Sequence, residues 1–407
     1  MRLTIINQFY IPDFAPTGHI AASLAAHRAE QGDEVTVITS SGGYVSESTT
    51  ASGSKSTNPR VYRLWTPRLG KGSVLARILD YVSFYILAFI RSVTLPKQDI
   101  IISLTTPPFI AWAAICHKIL HRSTKVVLWN MDCYPEIAEG AGVIVTGGFF
   151  SRLFRRLNHG LFKRLDQLVC LDNAMLDLLV SQYVSTEQAL ATCVIPNWEK
   201  SSRFPPDLAP DPWGVDTISI TDAEFVILYM GNAGFGHRFE TVIEAAKRLA
   251  DEPIAFLFIG GGEKWHWIEQ AIDANSLQNI HLFRYIPREI IPSAMAVADI
   301  ALITMNESAL GVISPSKLHA YMAMSLPTLY IGPEGSNVDE ALKRFDAGVS
   351  LRHGDVEGVI LFIKELRTQP EKLQVMSSNA RRAFDEAFCD TQTLPQFDQI
   401  LNQLLAE

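Results

Sequence analysis

Short apolar runs rich in β-branched residues alternate along this chain with longer stretches whose apolar positions recur every three to four residues. The first pattern has the period of buried strands and the second that of amphipathic helices. Residues 3–10 predict a strand, 11–19 a loop, 20–31 a helix ended by Gly32, and 34–39 the next strand. This order is a βαβ unit, which implies a parallel sheet with right-handed crossovers. Further strands are expected at 100–104, 126–129, 168–171 and 192–195, with helical spacing over 74–93 and 149–165. The alternation restarts at 225–230 and continues through strands at 256–259, 281–283, 300–303 and 328–331. A last helix, about 394–405, follows. The pattern therefore predicts an α/β protein of two doubly wound domains, 1–198 and 221–390, with the end of the chain (391–407) packed back on the first. Residues 199–220, rich in Pro, Ser and Asp at their start, read as a semi-rigid linker. Residues 40–59, rich in Ser, Thr and Gly, read as a mobile loop.

Composition narrows the class. A chain of 407 residues fits two domains of ordinary size, and 48% hydrophobic with 10% aromatic residues excludes a largely disordered protein. The net charge of −8 argues against nucleic acid as a partner of the bulk surface. The charge is uneven, however: between residues 60 and 97 seven basic side chains face Asp80 alone. The five cysteines are scattered without a CxxC pair, which argues against a zinc site or disulfide framework and suits a reducing cytoplasm. The first residues run straight into a strand pattern, so no signal peptide is expected. The apolar stretch 82–90 is stopped by Arg91, well short of the ~20 residues that span a bilayer.

Candidate chemistry begins at residues 231–236, a loop with Gly231, Gly234 and Gly236 between a strand and a helix. That helix, 239–249, lines up Val242, Ile243, Ala246 and Leu249 on one face. Glycines admit close approach of a ligand to the backbone, and a helix start offers unpaired N–H groups, which suits phosphate. The same glycines also serve simple packing at a strand-to-helix turn, and both readings stand on the loop alone.

Several motifs in order carry a wider resemblance. They are Phe9-Tyr-Ile-Pro-Asp13 with Ala15-Pro-Thr-Gly18, Asp132-Cys-Tyr-Pro-Glu136 and Val194-Ile-Pro-Asn197 in the first half. In the second they are Gly231-Asn-Ala-Gly234, Phe258-Ile-Gly-Gly-Gly262, Pro315-Ser-Lys-Leu318 through Leu326-Pro327, and Gly332-Pro-Glu-Gly-Ser336. With these the chain resembles, over nearly its whole length, the GT-B glycosyltransferases of family 4, in the bacterial branch that builds capsule, O-antigen or exopolysaccharide. The resemblance implies two Rossmann-like domains facing a central cleft. It also implies retaining transfer from a nucleotide-diphosphate-sugar, bound mainly by the second domain, to a saccharide or lipid-diphosphate-linked acceptor on the first.

The implied donor diphosphate site takes in Gly18, Gly231, Asn232, Gly234, His237, Arg238, Ser316 and Lys317. The nucleoside site takes in Gly260, Tyr285, Ile286 and Leu318. The chain departs from the family pattern in two places. Asn232 and His237 stand where an Arg and a Lys are usual, and Val312 and Ala320 where two glutamates are usual. A diphosphate needs cationic or N–H partners, and Lys317 and Arg238, the latter beside His237, are the available cations. Lys317 reads either as a ligand or as a solvated helix-start lysine. His237 and Arg238 read as ligands or as surface caps. In the first half His19, Asp132 and Glu136 are candidates for contacting the sugar and orienting the acceptor hydroxyl. Their alternatives are a backbone-bonded helix-start histidine and turn or cap carboxylates. No metal-ligand cluster is visible, so no required metal or other cofactor is expected. Segments 74–93 and 149–165 mix apolar faces with Arg and Lys. They read as peripheral contacts with the inner face of the cytoplasmic membrane or as core helices with basic outer faces. Two other functions fit the same pattern: a silent GT-B scaffold subunit, and a nucleotide-sugar epimerase.

Overall fold

Unbroken apolar runs become parallel strands covered on both faces, the arrangement such runs require. The computed structural model describes residues 1–13, 15–41, 58–67, 74–185, 187–205 and 224–406, without the side chains of 74–78. The chain divides into two units. The first is 1–171, 175–195 and 394–407, and the second is 172–174 with 196–393. Most of the expected loop at 40–59, and much of the expected linker, lie outside the described residues.

The first unit holds seven strands: β1 (Arg2–Ile6), β2 (Glu34–Ser40), β3 (Arg60–Leu64), β4 (Ile100–Ser103), β5 (Lys125–Trp129), β6 (Gln167–Cys170) and β7 (Ala191–Val194). They form one parallel sheet in the order β3-β2-β1-β4-β5-β6-β7. The second unit repeats the plan with β8 (Phe225–Asn232), β9 (Ile254–Gly261), β10 (Ile280–Arg284), β11 (Ile300–Thr304), β12 (Thr328–Ile331) and β13 (Gly348–Leu351). Its order is β10-β9-β8-β11-β12-β13, again all parallel. In each sheet the direction of growth reverses beside the first strand. That reversal makes switch points between β1 and β4 and between β8 and β11, where doubly wound sheets bind ligands.

Two strands were not expected. β3 (Arg-Val-Tyr-Arg-Leu) and β13 (Gly-Val-Ser-Leu) are both outermost, pair on one side only, and are only partly buried. The first helix starts at Pro16 rather than near Ile20, because a proline's fixed φ suits a first helical turn. The last helix runs Asp390–Ala406, and its residues from Leu394 belong to the first unit. There Phe397 is fully buried with its ring 4.6 Å from that of Trp129, also fully buried. Asp398 pairs with His27 at 2.8 Å and with Arg28 at 2.6 Å. Burying one such phenylalanine stabilises by roughly 2–3 kcal/mol.

Along β8 side chains alternate between two cores. Val226, Leu228 and Met230 join one with Ile303, Leu318 and Tyr321. Ile227 and Tyr229 join the other with Phe239, Val242 and Phe258. This alternation places a tyrosine, one residue from the end of the apolar run, just beneath the glycine loop.

Candidate functional site

β8 and β11 part company before they end. Their ladder pairs Ile227 with Ile300 and Leu228 with Ala301. Beyond it the Tyr321 hydroxyl accepts from the Met230 N–H at 2.7 Å, supplying the partner a buried amide requires. Lys317 lies where the strands separate. Its stem is half-buried, but its ammonium is shut off from solvent, without a hydrogen-bond partner, 3.9 Å from the centroid of the Tyr229 ring. Burial alone pulls its pKa from 10.5 down to about 7. The solvated alternative for Lys317 is therefore excluded. Gly231 (φ +125°) passes over the lysine, and a Cβ there would stand 3.8 Å from Lys317 Cε.

His237 is not a cation. Its Nδ1 donates to the Thr304 carbonyl at 2.6 Å, tying the loop after β8 to the end of β11. Burial, helped by the Lys317 charge, holds its pKa down at about 3. The neutral ring then has only an acceptor lone pair at Nε2, which repels a phosphate oxygen. Arg238 is exposed and stands 3.3 Å from Glu240. Ser316, also exposed, precedes the helix Lys317–Ala323 without a side-chain cap bond. The Asn232 amide lies against Gly234 and Gly262, where any Cβ would crowd it, so these glycines make room for Asn232. Gly260 is the register partner of Gly231 at φ +147°, and a Cβ there would overlap the Gly231 carbonyl. Tyr285 is 63% exposed beyond β10 and lies against Gly261, and Ile286 packs on the core. Leu318 is 0% exposed, its side chain spent in the core, so it offers a nucleoside no contact face. Val312 and Ala320, where the family pattern has glutamates, are buried, and among the described residues no ion pair gives Lys317 a carboxylate partner.

In the first unit a Cβ on Gly18 would meet the Phe9 carbonyl carbon and the Tyr10 nitrogen at 3.1 Å, so packing alone accounts for this glycine. His19 sits half-buried in the first helical turn, its N–H 3.4 Å from the Ala15 carbonyl. The two acidic candidates separate. Asp132 follows β5, its backbone N–H donating to Thr105 Oγ1 at 3.2 Å. Its carboxyl lines a small cavity with Thr105, Phe109, Asn130 and Tyr134, and desolvation lifts its pKa to about 6. Glu136 instead accepts from the Tyr183 hydroxyl at 2.6 Å and from Arg155 at 2.9 Å, while Arg155 also binds Glu139 at 2.9 Å. Its expected catalytic role gives way to a structural one, because its Oε1 already holds both Tyr183 and Arg155. We predict that Glu136→Gln costs about 2–3 kcal/mol of stability, read in urea unfolding, and leaves turnover per folded molecule within twofold. A large drop in turnover without loss of stability would reinstate it as catalytic.

Sequence reasoning missed Tyr229, Thr304, Tyr321 and His319. The two tyrosines sit inside apolar stretches of the sequence. The signal was their hydroxyls, since a buried tyrosine needs a partner where phenylalanine does not. His319 is buried with Nε2 unpartnered, its ring 5.0 Å from that of Phe388, and burial lowers its pKa to about 4. Among the described residues no group of three or more His, Cys, Asp or Glu is placed to hold a metal.

Comparison with known proteins follows the same division. Residues 17–198 match the glycosyl transferase 4-like domain and residues 217–383 the glycosyl transferases group 1 domain. The putative colanic acid biosynthesis glycosyl transferase WcaI of Escherichia coli (strain K12) is 24% identical over 399 residues, 95% of this chain and 97% of WcaI. The probable glycosyltransferase WbjE of Pseudomonas aeruginosa is 25% identical over 350 residues, 84% of each chain. Among solved structures, sucrose-phosphate synthase from Thermosynechococcus elongatus has a TM-score of 0.73 at 13% identity, covering 100% of both chains. Anabaena HepE in complex with UDP has a TM-score of 0.69 at 12% identity, covering 99% of this chain and 100% of HepE.

Proposed function

This chain belongs to the family 4-like glycosyltransferases of the GT-B fold, and from that premise we propose a specific transfer. The enzyme moves a sugar from a nucleotide-diphosphate-sugar, with retention at the anomeric carbon, to a lipid-linked saccharide acceptor in bacterial surface polysaccharide synthesis. The observation that carries this reading is the Lys317 ammonium, buried at the β8–β11 switch point without a hydrogen-bond partner. A buried cation whose N–H donors have no hydrogen-bond partner is costly, and a diphosphate is the ligand that relieves it. The named function of WcaI and the UDP bound in HepE support the polysaccharide and nucleotide parts.

In the transfer, the bond from the anomeric carbon to the diphosphate oxygen breaks as the acceptor oxygen attacks on the same face. The acceptor proton passes to the departing phosphate. The barrier falls chiefly by stabilising that leaving group, the part assigned to Lys317, with Asn232, Ser316 and the loop backbone beside it. On the first unit Asp132, with its raised pKa, orients the acceptor hydroxyl, and His19 contacts the sugar. The Tyr285–Ile286 segment serves the nucleoside, and no metal is required.

A peripheral membrane contact belongs to the same proposal. The helix Val74–Thr94 turns Leu79, Val82, Ile86 and Ile90 outward. The helix Phe149–Phe162 exposes Phe149 (76%) and Phe150 among Arg152 and Arg156. Such faces suit the headgroup boundary of the inner face of the cytoplasmic membrane. No helix among the described residues is long and apolar enough to cross it.

One observation favours a second reading, that of a silent scaffold: the buried apolar side chains at Val312 and Ala320. A thermal-shift panel of UDP, GDP, ADP and CMP with their sugar conjugates separates the two. For the transferase, one nucleotide class at a hundred times its Kd should stabilise by about 2.7 kcal/mol. Silence across the panel from folded protein would leave the scaffold. Epimerised sugar released without acceptor would instead mark an epimerase.

A further inference from the structure

We propose that Tyr229 is the positioning residue of the donor site: its ring face holds the Lys317 ammonium beneath Gly231, and its hydroxyl fixes the Asn232 carbonyl. The inference rests on the donor-site reading of Lys317 and names what aims that lysine.

Tyr229 is fully buried, and its ring cannot turn freely. Phe239 meets it edge-on at 5.0 Å, His237 edge-on at 5.7 Å, and Phe258 lies tilted at 5.4 Å. Lys317 is centred over the ring at 3.9 Å. The titratable groups on the loop after β8 and on the lysine's own helix show why a ring is used. His237 comes from the loop after β8 and is neutral, while Tyr321 and His319 lie on the lysine's own helix and are neutral as well. A carboxylate would satisfy the ammonium and then compete with a diphosphate for it. The π face attracts the cation without filling its N–H donors, so it sets their place and leaves them for the ligand.

The hydroxyl has a separate task. It donates to the Asn232 carbonyl at 3.0 Å, at the last residue of β8 before the turn. The other rings packed around Tyr229 include two phenylalanines, so the pocket itself does not demand a hydroxyl. One side chain thereby ties the cation and the turn to a common origin. The signal in the sequence is a tyrosine two residues before the first loop glycine.

The test uses the full chain with Tyr229 replaced by phenylalanine and then by mono-, di- and trifluorophenylalanine, which drain charge from the ring face at nearly constant size. The Lys317 titration midpoint is followed by lysine-selective NMR in nucleotide-free protein, assigned by its disappearance in Lys317→Met. Nucleotide affinity is measured alongside with UDP, or with whichever diphosphate stabilises the wild type. Tyr229→Phe should keep the lysine midpoint and weaken nucleotide binding about threefold, through the lost Asn232 tie. Each fluorine should then lower the midpoint and weaken binding, to about tenfold for the trifluoro ring. A midpoint that stays constant along the series overturns the assignment. If the wild type binds no nucleoside diphosphate, the donor-site reading fails, while the titration series still decides whether Tyr229 holds Lys317.

Discussion

Replacing Lys317 with methionine is expected to raise the melting temperature of the ligand-free protein and to abolish its response to nucleotide. The sign follows from the lysine's proton. Its pKa is 10.5 in an ordinary setting and about 7 when folded. Between those values the unfolded chain binds more protons than the folded one, so wild-type stability climbs as pH rises from about 7 towards 10.5. Below about 7 the folded protein carries the full burden of a buried, unpartnered charge. Methionine is of similar volume, fits the face of Tyr229 and has no charge to desolvate. At pH 7 the variant should gain on the order of 2 kcal/mol, some degrees in melting temperature for a unit this size. Its stability should lose the slope between pH 7 and 10.5. Diphosphate binding acts in the opposite sense, drawing the lysine pKa up and taking a proton from solvent near pH 8. Wild-type affinity should therefore be greatest below about pH 7 and fall as pH rises, while the variant binds at least a hundredfold more weakly. Unfolding at several pH values, with and without nucleotide, tests both halves. A variant less stable than wild type at pH 7, or one that still answers to nucleotide, would refute the argument. A residue that destabilises the empty protein while serving the loaded one is the trade expected of a binding site.

Gly260→Ala should cost at least about 3 kcal/mol and take the donor site with it. The residue sits at φ +147°, which side chains rarely adopt, and its new methyl would overlap the Gly231 carbonyl oxygen. Both obstacles are backbone, in two neighbouring interior strands, so no rotamer change relieves them. Relief requires β8 and β9 to separate at the Gly231–Gly260 pair, and that separation moves Gly231 off Lys317. Circular dichroism melting and nucleotide titration should both fall, affinity by more than tenfold in whatever fraction remains folded. A melting temperature within a degree of wild type would show that the strands yield more easily than their packing implies.

How much of this was legible depended on burial. Strands covered on both faces must be apolar throughout, so β1, β4, β8, β9 and β11 announced themselves as runs such as Ile-Ile-Ile and Phe-Val-Ile-Leu. β3 and β13 are edge strands with partly wet side chains, and their short mixed sequences do not differ from loops. In the site, Lys317 stood out as one of two cations available to a diphosphate. What excludes water from it, and which ring it faces, comes from a strand far away in sequence. The same reason hid the fate of His237, read as a diphosphate ligand or a surface cap: its neutrality is a product of depth, and its Nδ1 is spent on the Thr304 carbonyl. Glycines were visible as positions but not as causes. Gly18, Gly234 and Gly260 each answer to a neighbouring protein atom that only the folded backbone brings near.

The last helix also imposes an order on synthesis. Leu394 to Glu407 completes the unit that begins at Met1, placing Phe397 over Trp129 and Asp398 against His27 and Arg28. Chains emerge from the ribosome amino end first, at roughly 5–20 residues per second. The first unit is thus synthesised early and finished last, with the bare indole face of Trp129 waiting through the making of the entire second unit. A nonsense codon just before Leu394 would consequently damage the half of the molecule made first.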